Sequence, residues 1–425
     1  MFIVLKKQLV GLIFLVYVFS VDLNSQNIEY AREVIDTLTS SYFSGRGAVN
    51  KGEKKAADYI ANEFLKVGLK PIAQSFFQPF NYSINTFPST LKVKLEDKEL
   101  IAGVDYLVDP KSVKTKGVFN LVYYDKSTIP SKKKLYKLKK QGFFKDKIIV
   151  IDDKDATQKE EFTIIKTNGI LASGLVFLEE AKLTHHLSTI VSDYVVLKVL
   201  RNSFDKTATK ISIEIDQEFI PNYTSQNVIG KIVGAEFPDS IIVFSAHYDH
   251  LGKMGSEVYF PGANDNASGI AMLLNLAYYY SYKEVPKKTI VFMAFGAEEA
   301  GIIGSKHFVE NPTFSLASIN FMINVDIMGT GDEGIQVVNG SEFKPQFDKL
   351  VEINSTNNYL KQVKIRGKAA NSDHYWFAEK GVPAIFIYTL GGIKAYHDVY
   401  DVSKTLPLSK FEDCFRLLTD FVNEL

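Results

Sequence analysis

The sequence predicts an α/β fold, a mostly parallel mixed sheet flanked by helices, with an inserted β-rich domain. Three observations carry that prediction. From Thr224 onward, apolar runs alternate with helical patterns: Ile241–Ser245, Ile270–Tyr282, Thr289–Phe295, a helix after Gly301, Ile319–Asp326, Phe343–Thr356, Ala384–Tyr388 and Leu408–Val422. Strands that alternate with helices of this length indicate a mostly parallel sheet. From about Ser83 to Asp216 the pattern is instead strand after strand: Leu91–Leu95, Val118–Tyr124, Lys147–Ile151, Gly174–Phe177 and Tyr194–Val199. Finally, polar clusters follow the predicted strand ends, where open α/β sheets keep their sites.

Taken in order, residues 1–25 read as a signal peptide. Lys6 and Lys7 supply positive charge, and Leu9–Phe19 is apolar apart from Gly11 but shorter than a membrane span. Cleavage near Ser25 predicts an exported protein, periplasmic or extracellular, with no stable membrane span left; the rival is a retained N-terminal anchor. Ile28–Leu38 has helical spacing. Lys51–Val67 is a second amphipathic helix, with Ala56, Tyr59, Ile60, Phe64 and Val67 on one face, Gly68 as its cap and Pro71 preventing resumption. Between them, Gly45-Arg46-Gly47 reads as a turn with a surface arginine.

Residues 96–213 are assigned to the inserted domain, and 26–95 with 214–425 to the domain carrying the polar clusters. In the insert, the lysine run Lys132–Lys140 reads as a solvated helix face and Glu160–Asn168 as a short helix. His185 and His186 are adjacent, so on a strand they point to opposite faces and cannot easily share one ion; they are expected at the surface.

The 425 residues carry 49 basic and 49 acidic side chains, a balance that argues against a general nucleic-acid binder. Cys414 is the single cysteine, so no intrachain disulfide can form and the core must carry stability. Oligomeric state is not legible.

Four features then converge. They are His247-x-Asp249 with Asp265 downstream, the paired Glu298-Glu299 after a strand, Asp326 ending a strand, and His397 in a loop after Gly391-Gly392. Alone, each is commonplace; together they supply what two divalent cations sharing one water require. Asp265 is the bridging carboxylate, His247 and Asp326 complete one site, and Glu299 and His397 the other. Glu298 is left as general base, and Asp249 steadies the His247 ring through its second nitrogen. Histidines and carboxylates without thiolate suit two zinc ions, with manganese or cobalt as substitutes.

Six motifs, A-H-Y-D-H-L-G (246–252), G-A-N-D-N-A-S-G (262–269), F-G-A-E-E-A-G-I-I-G-S (295–305), N-V-D-I-M-G (324–329), S-D-H (372–374) and Y-H (396–397), resemble those of the secreted di-zinc aminopeptidases. Bacterial leucyl aminopeptidases belong there, with glutamate carboxypeptidase II and the transferrin receptor as relatives. The resemblance covers roughly 222–425, with a further match at 44–71. It implies a zinc exopeptidase fold, the same five ligands, the same base, and peptides with a free N-terminus as substrates. Asp373 and His374 match the family's S-D-H, and are assigned only a rim or supporting role. Tyr388, ending a strand near the site, is a candidate hydrogen-bond donor to a tetrahedral oxyanion. The insert resembles a protease-associated domain. Asp398-Val399-Tyr400-Asp401 stands where family members often carry a Thr-Pro pair. The leading function is therefore an exported zinc aminopeptidase. Glutaminyl cyclisation or a glutamate-carboxypeptidase-like dipeptidase activity are the alternatives on the same fold. A non-catalytic binding protein would have lost ligands or base.

Overall fold

The computed structural model describes residues 28–152 and 160–425. The expected signal peptide, 1–25, lies outside the described residues.

Four parallel strands form the centre of a nine-stranded mixed sheet, in the spatial order Lys288–Phe295, Phe237–His247, Ile319–Asp326, Ala384–Thr389. Their sequences are near-continuous apolar runs because both faces are covered. The long strand Glu218–Ile232 pairs antiparallel on one side, and Ile335–Val338 does so on the other. Parallel register leaves the last residues of all four central strands on one edge: His247 pairs with Phe295, and Asp326 with Tyr388.

One face of this sheet is covered by Ser268–Tyr282, a helix buried from Ser268 through Ala277. Such all-round burial fits its largely apolar sequence. Ile28–Leu38 lies against it through Ala31, Val34, Ile35 and Leu38, the helical spacing read from sequence. Gly52–Lys66 buries Ala56, Ile60 and Phe64 and is followed by Gly68 at φ +81°, the left-handed residue that stops a helix. The C-terminal helix Phe411–Asn423 buries Cys414, a small apolar filler.

A second sheet has eight strands, drawn from Leu91 to Ile215. Its first strand, Leu91–Leu95, pairs with Lys210–Ile215, so the second sheet begins inside the range 26–95 assigned to the first domain. Helices Lys132–Lys140 and Glu160–Lys166 flank it; the lysine-rich one buries only Leu135. Among the described residues no helix is long and apolar enough to cross a membrane.

Candidate metal centre

Each strand end delivers one group to the same place. His247 closes its strand, Asp326 closes the next, and Glu298-Glu299 follow the strand ending at Phe295. Asp265 lies in the turn before the buried helix, beside the cis peptide bond Asp265–Asn266. His397 comes from the loop after Ala384–Thr389.

Asp265 sits between the two histidines. Its Oδ1 is 3.2 Å from His247 Nε2 and its Oδ2 is 3.1 Å from His397 Nε2. On the far sides, His247 Nε2 is 3.3 Å from Asp326 and His397 Nε2 is 3.2 Å from Glu299. All five residues expected as ligands therefore meet in two groups that share Asp265. Glu298 lines the same cavity, of about 160 Å³, with Ile327, Phe386, Tyr388 and Tyr396.

The cluster is electrostatically tense. Burial works against protonation of His247, but Asp326 and Glu298 outweigh it and raise the ring well above the usual histidine value. For Glu298, burial leads, and Glu299, Asp373 and Asp326 add to it against His247, so its pKa stands well above the carboxylate range.

The surrounding contacts place the remaining predicted residues. His247 Nδ1 faces the main-chain oxygen of Asp249 at 3.2 Å, while the Asp249 carboxylate is 3.7 Å away, too long for a hydrogen bond. That carboxylate instead accepts the main-chain N–H groups of Glu298 and Glu299 at 3.0 and 3.1 Å. Asp249 thus shapes the glutamate turn more directly than the histidine ring. Asp373 and His374 are fully buried, not at a rim. The His374 ring packs on Phe386, and burial raises the Asp373 carboxyl to about 7. Their neighbour Ser372 donates to Asp326 Oδ2 at 3.4 Å and is itself held by Asn324 at 2.8 Å. Tyr388 lines the cavity, with its hydroxyl accepting a 3.2 Å bond from Arg366.

Three expectations are overturned or extended. Arg46 is fully buried, not at the surface. Its guanidinium donates to the main-chain oxygens of Tyr248, Leu38, Pro261 and Gly262 at 2.6–3.1 Å, and to that of Asp265 at 3.4 Å. A planar fork with five donors suits such a ring of carbonyls. The flanking glycines permit the approach: a Cβ on Gly45 would lie 2.4 Å from the Gly252 oxygen. His185 is buried, stacked on Phe260 with ring centroids 4.7 Å apart; the exposed His186 sets its ring against that of His397. Finally, His250, not assigned a role from sequence, places Nδ1 2.7 Å from Glu299. Its three-residue spacing from His247 in A-H-Y-D-H was the available signal.

Comparison with known proteins gives a family match and several relatives. Residues 227–422 match the family described as Peptidase family M28. Over 118 residues the chain is 42% identical to aminopeptidase YwaD of Bacillus subtilis (strain 168), covering 26% of this chain and 24% of that protein. Over 115 residues it is 37% identical to a probable zinc metalloprotease of Pyrenophora teres f. teres (strain 0-1), covering 26% and 24%. The chain thus spans about a quarter of the length of these curated relatives. The crystal structure of BSAP, a zinc aminopeptidase from Bacillus subtilis, superposes with a TM-score of 0.69 at 22% identity, covering 93% of this chain and 94% of that one. That likeness establishes the fold.

Proposed function

We propose that this chain, which carries a peptidase family M28 domain over residues 227–422, is an exported metallo-aminopeptidase working with two zinc ions. Its substrates are peptides with a free N-terminus, from which it releases the N-terminal residue.

One observation carries the metal reading. Donors bound at about 2.0 Å in a tetrahedron lie about 3.3 Å from one another. The four histidine–carboxylate separations around Asp265 are 3.1–3.3 Å. Direct charge-assisted hydrogen bonds would be shorter, about 2.7–2.9 Å. The donor set of imidazoles and carboxylates also suits zinc, and zinc metalloproteases are among the relatives. His247, Asp265 and Asp326 would hold one ion, and Asp265, Glu299 and His397 the other.

Bound zinc supplies an electrophile for the peptide carbonyl and acidifies water at neutral pH. The chain's own residues do the rest. Glu299 is engaged by His250 and His397, which leaves Glu298 as the cavity carboxylate free to move a proton. It takes one from the attacking water and delivers it to the leaving amine. Asp249 fixes the Glu298 main chain and so the reach of that carboxylate. The acidic cavity favours the cationic α-amine of a peptide, while Phe386, Tyr388 and Ile327 offer apolar surface for its first side chain. Export rests on the charged and apolar pattern of residues 1–25.

The test is a panel of aminoacyl substrates given to the mature protein before and after chelation, with Glu298→Gln alongside. The proposal predicts chelator-sensitive release of the N-terminal residue. It predicts metal retained in Glu298→Gln, with turnover lowered by about 10²–10⁴-fold. Cyclisation of N-terminal glutamine with no hydrolysis would replace the reading, and full turnover in the variant would remove Glu298 from its role.

A further inference from the structure

His397 is the proposed ligand farthest along the chain from a strand end or a helix start. Its backbone lies at φ +53°, a conformation that costs a non-glycine residue free energy and persists only where the surroundings impose it. What imposes it comes from the second sheet. The segment between the strands Gly174–Glu179 and Val195–Leu200 crosses to the His397 loop and grips it at several points. The His185 main-chain N–H donates to the carbonyl of His397 itself at 2.9 Å. The His186 ring meets the His397 ring at 5.2 Å between centroids and 71°. Lys182 Nζ is 2.7 Å from the Asp398 carboxylate and donates to the Lys394 carbonyl at 2.9 Å. Asp398 in turn accepts the Tyr400 N–H at 2.9 Å, closing the turn that follows the ligand. Val399, next in the chain, packs against the apolar core of the second sheet.

We propose that the segment Lys182–His186 is a positioning device for His397, so that the second sheet completes the metal centre rather than standing beside it. The inference rests on the two-metal reading above. Lys182 and His186 act through the loop: Lys182 neutralises the buried Asp398 that shapes it, and the His186 ring, set edge-wise against the imidazole, limits its swing together with Tyr396, whose ring stacks on His397 at 3.9 Å. Only the ion held by Glu299 and His397 depends on this device. The ion held by His247 and Asp326 takes those two ligands from strand ends.

The experiment is zinc titration against a competing chromophoric chelator, using wild type, Lys182→Ala, His186→Ala and the double variant. Both side chains are exposed, so the variants keep the core. Wild type is expected to bind two ions. The double variant should bind one with unchanged affinity and the other about tenfold or more weakly, the scale found when groups supporting a ligand are removed. Activity lost at limiting zinc should return in excess zinc. Two wild-type-like affinities in the double variant, or equal weakening of both, would overturn the positioning role. A wild type that takes up no zinc would overturn the metal reading itself, and this inference with it.

Discussion

The carboxylate of Asp401 accepts the main-chain N–H of Asp265 at 3.0 Å, across 136 positions of sequence. It takes the Asn264 N–H as well, at 2.9 Å. Asp401 is fully buried, and burial raises its carboxyl to about 6 despite these bonds. The residue on which both proposed metal sites depend is therefore oriented from behind by a second aspartate. Replacing Asp401 by Asn presents an amide N–H₂ to a donor. We expect Asp401→Asn to fold and to lose about 10–100-fold in metal affinity, measured by zinc titration. Wild-type affinity would mean that the Asp265 turn holds itself.

Arg46 makes a prediction about stability. Its buried guanidinium satisfies carbonyls from the Leu38 turn, from Tyr248 and from the Pro261–Asp265 loop. Arg46→Met keeps volume but strands those oxygens without donors. A loss of about 3–5 kcal/mol is expected, the range for breaking a buried charged network, read by urea unfolding. A variant within about 1 kcal/mol of wild type, the size of one ordinary hydrogen bond, would show that water replaces the side chain.

Glu53 makes a prediction about pH. Burial, with the Asp249 charge, raises its carboxyl to about 8 against the hydrogen bond from Ser225. The folded-state value lies above the unfolded one, so the protonated group contributes stability that is complete below about pH 4 and is lost as pH rises through about 8. Glu53→Gln cannot ionise. Its melting temperature should fall less than that of wild type between about pH 5 and 9. Parallel curves would assign the pH dependence elsewhere.

The central sheet and three of the clustered residues, His247, Glu299 and Asp326, were legible because each ends or follows an apolar strand and parallel register carries strand ends to one edge; Asp265, before a helix, and His397, in a loop, were legible from their motifs. Asp401, Arg46 and His185 were not. Their roles depend on loops 136 to 219 residues apart meeting in space, and no local period reports such a meeting. Arg46 was misread because an arginine between glycines resembles a surface turn, whereas here the glycines let two backbones touch. Asp249 was half legible: its nearness to His247 is sequential, but the partners of its carboxylate come from the turn after another strand. For Asp373 and His374, given a rim or supporting role, burial rules out the rim, which a motif match alone could not report.

The claim that matters most is that Asp265 stands between two cations. Anomalous diffraction at the zinc edge, from crystals of the protein purified with zinc, tests it most directly. We predict two peaks, one between His247 and Asp326 and one between Glu299 and His397, with an Asp265 oxygen on each. A single peak, or peaks away from Asp265, would contradict it.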